Sequence, residues 1–372
     1  MGLFDPAPEP KTALGRYRKF SPAAGVHLFP LALGAMSIED KRGEFMGAMG
    51  QEQSRTLLND IFVPCMDCFD RPIDGIGDSQ DETSEEFVGE WAEERGIRDQ
   101  LFIVTKYTTN YKRLDPAITQ KVNYTGNNVK SMHIFVEASL KNLRTSYIDL
   151  LYVHWRDRET SIEEVMQGLH TLVLQGKGIS GTPAWSNVME RSFERDIIPM
   201  ALSEGVALCP WTVLAGGKIR TDEEGERRRT TGEKGRTLLN PNWERSEKEK
   251  NMHYKLQHIA TEVGTKGITS VAIAYLMEKT PYVSPLVGGR SVEHWLANIE
   301  ALTITLSSDH IKSIEAATDP EFDMGFPTTL VGTGSEIIPL MASAATIDEN
   351  PPLRPFNLLA AAPLERTKYS SL

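Results

Sequence analysis

The sequence predicts an α/β fold, and within that class a (β/α)8 barrel, from three observations. Apolar runs rich in β-branched residues alternate with segments of helical periodicity, as in chains that build a parallel sheet. The number of these units in 372 residues favours a closed barrel over an open sheet. No early Gly-x-Gly-x-x-Gly follows a strand, so an open sheet of the Rossmann type lacks its phosphate-binding signal.

The individual elements follow from local pattern. Short apolar runs predict strands over residues 31–36, 101–105, 148–153, 206–210 and 283–287. Apolar residues at helical spacing predict helices over residues 51–62, 132–143, 269–277 and 292–299. A further helix begins after Ser161, because Ser161 and Glu164 have the spacing of a capping box.

Composition limits the possible partners and the compartment. The formal net charge of −11 argues against a nucleic-acid partner, although a local basic site for an anionic cofactor is compatible with it. Three cysteines are too few for a disulfide framework, and no apolar segment has the length of a leader or a membrane span. We therefore expect a cytoplasmic protein without membrane contact, as a monomer or a weak homo-oligomer.

Three segments interrupt the alternation. Residues 220–250 are highly charged and are interpreted as a solvated loop or, alternatively, as a mobile loop that closes over a cofactor phosphate. Cys65 and Cys68 form a C-x-x-C pattern, but no second pair has zinc-site spacing, so a loop is favoured over a metal or redox site. Weak periodicity after about residue 326 predicts a barrel domain over residues 1–326 and a partly disordered tail over residues 327–372.

Three features have the position and residue type of a functional site. Lys106 and His154 each stand at the carboxyl end of a predicted strand, where βα barrels collect their catalytic groups. Gly288, Gly289 and Arg290 lie between the last strand and a helix. Glycines there allow the backbone to approach a phosphate, and a guanidinium adds charge and bidentate donors.

Beyond these features, the sequence resembles the aldo-keto reductases, in the fungal branch that includes aryl-alcohol dehydrogenases and norsolorinic acid reductase-like enzymes. The matching stretches occur in family order over most of residues 13–326. They are LGRYRKFSPAAG, LALGAMSI, QDETSEEFVGEW, RDQLFIVTKYT, LRTSYIDLLYVHW, TSIEEVMQGLH, FERDIIPMA and PLVGGRSVEHWLANIEAL.

The resemblance implies a barrel that binds NADP(H) and transfers a hydride to or from a small-molecule carbonyl or alcohol. It assigns catalytic positions to Asp74, Lys106 and His154, with His154 orienting the substrate carbonyl. The family's proton-donating tyrosine corresponds to Ser79, whose hydroxyl is a far weaker acid than a phenol. Tyr107 is not a replacement, because neighbouring strand residues point to opposite faces.

The resemblance also implies a set of cofactor-binding residues. Besides Asp74, these positions are Ser180, Gly181, Trp211, Gly216, Gly217, Lys218, Gly288, Gly289, Arg290, Ser291, His294 and Asn298. Arg290 is expected at the ribose 2′-phosphate and Asn298 at the adenine. The loop from Trp211 to Lys218 is expected around the pyrophosphate.

Two blocks depart from the family pattern. Residues 62–80 are altered, with the stretch 63–70 unlike the family's approach to strand two, and around residues 177–188 roughly two dozen family residues are missing, about one βα unit. The barrel is therefore expected to be incomplete around strands 5 and 6. The chain is either a degenerate paralogue, a working enzyme with repaired geometry, or the product of misassigned introns; the first and third are favoured.

Two function hypotheses follow from these observations. The first is an NADP-dependent oxidoreductase of fungal secondary metabolism that acts on an aromatic or polyketide-like carbonyl. The second is a catalytically impaired or inactive NADP-binding paralogue, comparable with the aldo-keto-reductase-derived β subunits of potassium channels. A third possibility is that no stable protein forms. Ser79 is the residue that separates the first two.

Overall fold

The structure is a computed structural model, and the structural statements below concern the residues that it describes. These are residues 16–38, 49–66, 74–76, 82–113, 115–154, 156–157, 159–181, 184–185, 187–232, 242–289 and 291–318. For residues 37, 60–66, 74–76, 179–181 and 184–185 the backbone alone is described. The predicted tail over residues 327–372 lies outside these ranges.

Strands and helices alternate along the described chain. The strands are β1 (Arg18–Ser21), β2 (Ala24–Leu28), β3 (Ala32–Gly34), β4 (Asp74–Ile76), β5 (Phe102–Tyr107), β6 (Leu150–Val153), β7 (Ile179–Gly181), β8 (Ala184–Trp185), β9 (Pro210–Trp211) and β10 (Leu286–Val287). The α-helices are α1 (Gln51–Met66), α2 (Thr83–Arg95), α3 (Val129–Asn142), α4 (Ile162–Leu174), α5 (Phe193–Glu204), α6 (Asp222–Thr231), α7 (Glu247–Val263), α8 (Ile268–Lys279), α9 (Val292–Ile299) and α10 (Ser308–Glu315).

The central feature is a parallel sheet. Six of its strands lie in the order β10, β3, β4, β5, β6, β7. β8 and β9 form a second parallel pair, and Leu208 forms a parallel bridge with Val283 just before β10. β1 and β2 form an antiparallel hairpin ahead of the first sheet strand. The predicted α/β class is confirmed, with helices connecting successive parallel strands.

The two faces of the central strands pack against different partners. Phe102 and Val104 of β5 join Leu150 and Tyr152 of β6 in a small apolar cluster that also contains Cys209. The alternate residues of β5 belong to the larger core between the sheet and the helices. Because side chains alternate along a strand, Lys106 follows Phe102 and Val104 on the face of the small cluster.

The helix after Ser161 begins as predicted, but its capping box is only half formed. The Ser161 hydroxyl accepts a hydrogen bond from the Glu164 backbone N–H at 3.1 Å. The Glu164 carboxylate instead accepts from the Val129 N–H at 3.0 Å, at the first residue of α3. Glu164 therefore links the amino ends of two neighbouring helices, because a donor of α3 lies within its reach.

The charged segment 220–250 is not the loop that its composition suggested. Thr221 caps α6 by accepting from the Glu224 N–H at 3.1 Å. Glu224 also forms ion pairs with Arg227 and Arg228 one turn later, and such pairs stabilise a helix. α7 begins at residue 247, within the same segment. Residues 233–241 lie outside the described residues, so the proposed closure over a phosphate stays a prediction.

The later strands are shorter than predicted. β9 contains Pro210 and Trp211 instead of residues 206–210, and β10 contains Leu286 and Val287 instead of residues 283–287. Proline has no backbone N–H to donate to a ladder. Pro210 is the first residue of β9 and Pro285 directly precedes β10, where its carbonyl accepts a hydrogen bond from the Ala32 N–H at 3.0 Å. By contrast, helix α9 has the predicted bounds.

Candidate active site

Lys106 and His154 lie together at the carboxyl edge of the sheet. Lys106 of β5 is in register with Tyr152 of β6, and His154 directly follows β6. The His154 backbone N–H donates to the Tyr107 carbonyl at 3.0 Å, which continues the pairing of the two strands by one step. Both side chains are half-buried. The structure thus brings together the two residues that the sequence singled out.

The loops after β5 and β6 contact each other beside His154. Thr109 Oγ1 lies 3.0 Å from His154 Nδ1. Next to it, Thr108 has a φ of 122°, a backbone conformation that β-branched residues rarely adopt. Sequence reasoning missed Thr109. Its position three residues beyond Lys106, at the end of a strand, was the available signal.

Ser180 and Gly181 lie on β7, the next strand of the sheet. Ser180 is in register with Leu151, and Gly181 is in register with Tyr152. Tyr152 is itself level with Lys106, so Gly181 lies at the height of the candidate site.

The register does not place Asp74 beside Lys106. Asp74 is the first residue of β4 and pairs with Phe102, the first residue of β5. Lys106 is four residues further along β5 than Phe102, about 13 Å along a strand. Only the backbone of Asp74 is described, so the Asp74–Lys106 pair stays a prediction. Ser79 lies outside the described residues.

No buried tyrosine near Lys106 is a good substitute acid among the described residues. Tyr107 points to the opposite face and packs on Phe135, as predicted from strand alternation. Burial raises the pKa of its hydroxyl. Tyr152 faces the small cluster with Cys209, and burial raises its pKa well above 10. A phenol with a raised pKa is a weaker proton donor at neutral pH.

A tight turn follows β9 in the segment expected around the pyrophosphate. Ala215, Gly216 and Gly217 all have positive φ, at 50°, 64° and 87°. Arg220 stabilises the turn, because its guanidinium donates to the Gly217 carbonyl at 2.8 Å. A β-carbon at Gly217 would lie 3.7 Å from Arg228 Nη1, so a second guanidinium lies close to the turn.

Lys218 connects this turn to the segment before α7. Its ammonium donates to the Asn242 carbonyl at 2.9 Å and lies 3.6 Å from the Glu249 carboxylate. Trp211, at the start of the segment, is half-buried on β9 and pairs with Trp185 of β8. In this arrangement Lys218 contributes to holding the loop, in addition to any ligand role.

A second glycine segment lies between β10 and α9. Gly288 is exposed, and a β-carbon on Gly289 would lie 3.0 Å from the His294 β-carbon, so the backbone approaches the helix closely here. Ser291 caps α9 by accepting from the His294 N–H at 3.3 Å. His294 is exposed and Asn298 is 3% exposed, and the contact of Asn298 with adenine stays a prediction. Arg290 lies outside the described residues.

The fold and the site define a parallel βα protein with a lysine and a histidine at the carboxyl edge of its sheet and glycine turns beyond two later strands. Within the described residues, no helix is both long and apolar enough to cross a membrane. The family model of the aldo/keto reductase family matches residues 30–186 and 178–319. The chain belongs to the aldo/keto reductase family, whose members share the barrel fold.

Curated relatives confirm the predicted branch. The chain is 48% identical to "Aryl-alcohol dehydrogenase [NADP(+)]" of Phanerodontia chrysosporium over 94% of this chain and 98% of that protein. It is 42% identical to "Norsolorinic acid reductase A" of Aspergillus parasiticus over 86% and 85% of the two chains. "Aldo-keto reductase ausK" of Emericella nidulans is 38% identical, with 92% of each chain covered. The predicted class, an oxidoreductase family that uses NADP(H), agrees with these relatives.

The family match and the alignment with the aryl-alcohol dehydrogenase both contain a discontinuity. The two pieces of the family match overlap on residues 178–186. The alignment with the aryl-alcohol dehydrogenase spans 382 positions, but 94% of 372 residues is about 350, so about 32 positions have no counterpart here. The overlap lies on β7 and β8, and the missing βα unit stays a prediction.

Proposed function

We propose that the protein is an NADP-dependent oxidoreductase that reduces the carbonyl, or oxidises the alcohol, of an aromatic or polyketide-like small molecule. The observation that carries this proposal is the placement of Lys106 and His154 on one face at the carboxyl edge of the sheet. An aryl-alcohol dehydrogenase and a norsolorinic acid reductase among the relatives support the substrate class. We further propose a cytoplasmic location and a role in secondary metabolism.

The residues present are compatible with a dinucleotide. The positive-φ turn at Gly216 and Gly217, with Arg228 close by, suits a phosphate group. At Gly289 the backbone lies so close to the next helix that a β-carbon would fill the space between them. This segment precedes α9, and the amino end of a helix favours an anion. NADPH would supply the hydride. Lys218 and Arg290 are the basic residues that we assign to its phosphates.

At the reacting end, His154 would orient the substrate oxygen through a hydrogen bond. Lys106 would favour negative charge on that oxygen or on a neighbouring acid. Gly181, level with Lys106, would leave room for the nicotinamide side of the site. The proton source must differ from that of the family, since Ser79 replaces the family's tyrosine.

Ser79 favours a second candidate function, an impaired or inactive NADP-binding paralogue. The full-length protein can be titrated with NADPH by fluorescence and then assayed on a panel of aromatic aldehydes. Binding with efficient turnover supports the enzyme. Binding without turnover, together with a gain of turnover in Ser79→Tyr, supports the paralogue. Absence of NADPH binding would contradict both.

For the fold, we propose that β7 and β8 are two halves of one strand that closes a seven-stranded barrel. β7 pairs with β6, β8 pairs with β9, the Leu208–Val283 bridge leads to β10, and β10 pairs with β3. The overlap of the family match on residues 178–186 fits one segment that serves as two family strands. Hydrogen exchange tests this closure. We expect the amides of β7 and β8 to be protected like those of β6, and rapid exchange in both would overturn it.

A further inference from the structure

The loop after β5 places a hydroxyl on the imidazole of His154. Thr109 Oγ1 lies 3.0 Å from Nδ1, and both side chains are half-buried. We propose that Thr109 is a positioning residue that donates to Nδ1 and so keeps the hydrogen of the neutral imidazole on Nε2. The inference rests on the proposed function, in which His154 faces the substrate oxygen.

The tautomer matters for that role. A neutral imidazole has one nitrogen that donates and one that accepts, and the partner of the first nitrogen decides which is which. With Nδ1 accepting from Thr109, Nε2 carries a hydrogen that can be donated to a carbonyl oxygen. With the other tautomer, Nε2 would present a lone pair to that oxygen, and the two would repel.

The backbone before Thr109 is fixed by several hydrogen bonds. The Thr108 carbonyl accepts from the Gly126 N–H and from the Thr125 hydroxyl, each at 2.9 Å. The Thr108 hydroxyl accepts from the Asn127 side-chain amide at 2.7 Å. These bonds hold Thr108 at its φ of 122°, a strained conformation that persists only where the surroundings enforce it. The direction of the Thr109 side chain is thereby set.

The same network fixes the loop that follows His154. The Asp157 N–H donates to the Asn127 side-chain carbonyl, and the Asn127 N–H donates to the Asp157 carboxylate, each at 2.7 Å. Burial would raise the pKa of Asp157, but hydrogen bonds from the Thr160 and Asn127 N–H groups hold it below its usual range. The Asp157 carboxylate is therefore ionised at neutral pH and accepts these hydrogen bonds. Because Asn127 bonds both Thr108 and Asp157, the loops that carry Thr109 and His154 are held by one network.

The test is the tautomer of His154 in the full-length protein, measured by long-range proton–nitrogen NMR of the histidine rings at neutral pH. His154→Gln assigns the signal. We expect Nδ1 to have the shift of an acceptor nitrogen and Nε2 that of a protonated one. In Thr109→Val, which keeps the side-chain shape but lacks the hydroxyl, we expect a mixture of tautomers. Thr109→Ser should restore the original pattern.

A matched control and an independent readout separate this role from a loss of fold. Thr171→Val removes a hydroxyl that bonds only within α4 to Gln167, and should leave the His154 signal unchanged. A protonated Nδ1 in the unmodified protein, or an unchanged spectrum in Thr109→Val, overturns the inference. NADPH titration of Thr109→Val should match that of the unmodified protein. If the proposed function is wrong, NADPH binding is absent from this titration, whereas the tautomer of His154 can still be as inferred.

Discussion

The strands before residue 154 and the elements after residue 177 are held in different ways. β5 and β6 pair over four residues, with apolar side chains on both faces. The strands from β7 to β10 contain two or three residues each. We call the segment of β7 and β8 the junction. After the junction, where the strand ladders are short, buried charges between helices contribute to stability. Glu194 of α5 contacts Arg191 at 2.9 Å, Lys279 at 3.0 Å and the Tyr275 hydroxyl at 2.8 Å.

The helices that flank the junction also expose apolar side chains. Six of the eleven large hydrophobic residues that are exposed in the described chain lie on α4 and α5, which shows a face without its usual cover. They are Ile162, Met166, Val173, Leu174, Ile197 and Met200. The overlap of the two family matches, on residues 178–186, falls between these two helices in the chain. The exposed apolar side chains of α4 and α5 therefore flank the segment where the sequence departs from the family, whereas β7 and β8 within that segment are each paired with a neighbouring strand.

The largest effect is expected from Arg191→Leu, which breaks the charge network after the junction. Arg191 contacts Glu194 and also donates to the Thr318 hydroxyl at 3.0 Å. Removing one partner of a buried ion pair costs up to about 3–5 kcal/mol, and Glu194 would keep Lys279 as a cationic contact, so the lower part of this range is expected. Urea unfolding of the full chain measures this. Arg195→Leu, which removes an exposed pair with Asp196, should cost about 1 kcal/mol or less.

The next prediction compares the two faces of α4. Leu172 is 3% exposed and Leu174 is 74% exposed. Leu172→Ala should lower the free energy of unfolding by about 2–5 kcal/mol, because it leaves a cavity in the core. Leu174→Ala should change it by about 0.5 kcal/mol or less. Equal costs in thermal or urea unfolding would mean that the outer face of α4 is covered in solution.

The third prediction uses Glu85, which is buried before the junction. Its carboxylate accepts hydrogen bonds from Thr105, Ser139 and Asn142, but burial dominates and raises its pKa from 4.5 to about 7. Its contribution to stability is therefore largest below about pH 4.5 and is lost as the pH rises through 7. Glu85→Gln should gain stability relative to the unmodified protein over this window, by up to about 3 kcal/mol.

Unfolding measured at pH 5 and pH 8 gives the sign of that change. The neighbouring exposed Glu86 provides the matched control, and Glu86→Gln should show little pH-dependent difference. If Glu85→Gln loses stability between pH 5 and pH 8 relative to the unmodified protein, the carboxylate is better stabilised by its three donors than burial implies.

The smallest effect on stability is expected from Met166→Glu, on the uncovered face. Met166 is 56% exposed, so the change in the free energy of unfolding should be within about 0.5 kcal/mol. Self-association should decrease, since exposed apolar patches promote it. Light scattering over a concentration series measures this. Val122→Glu, at a 70% exposed position away from α4 and α5, is the control and should leave self-association unchanged.

Several features could be predicted from the sequence because they depend on local pattern. The bounds of α9 follow from helical spacing and a capping serine. The opposite directions of Lys106 and Tyr107 follow from strand alternation. The charged helix α6 was missed because its polar surface gives no apolar periodicity, and its stability comes from a cap and ion pairs instead. The capping pattern at Thr221 and Glu224 was the available signal.

The sequence by itself determined the family, the parallel βα class and the position of Lys106 and His154 at strand ends. Only the tertiary structure decided which residues are level with each other. Parallel strands are joined by long crossovers, so their register depends on packing between distant segments and not on neighbouring residues. For that reason Asp74 lies level with Phe102 and not with Lys106. The contact between Thr109 and His154, 45 residues apart, has the same origin.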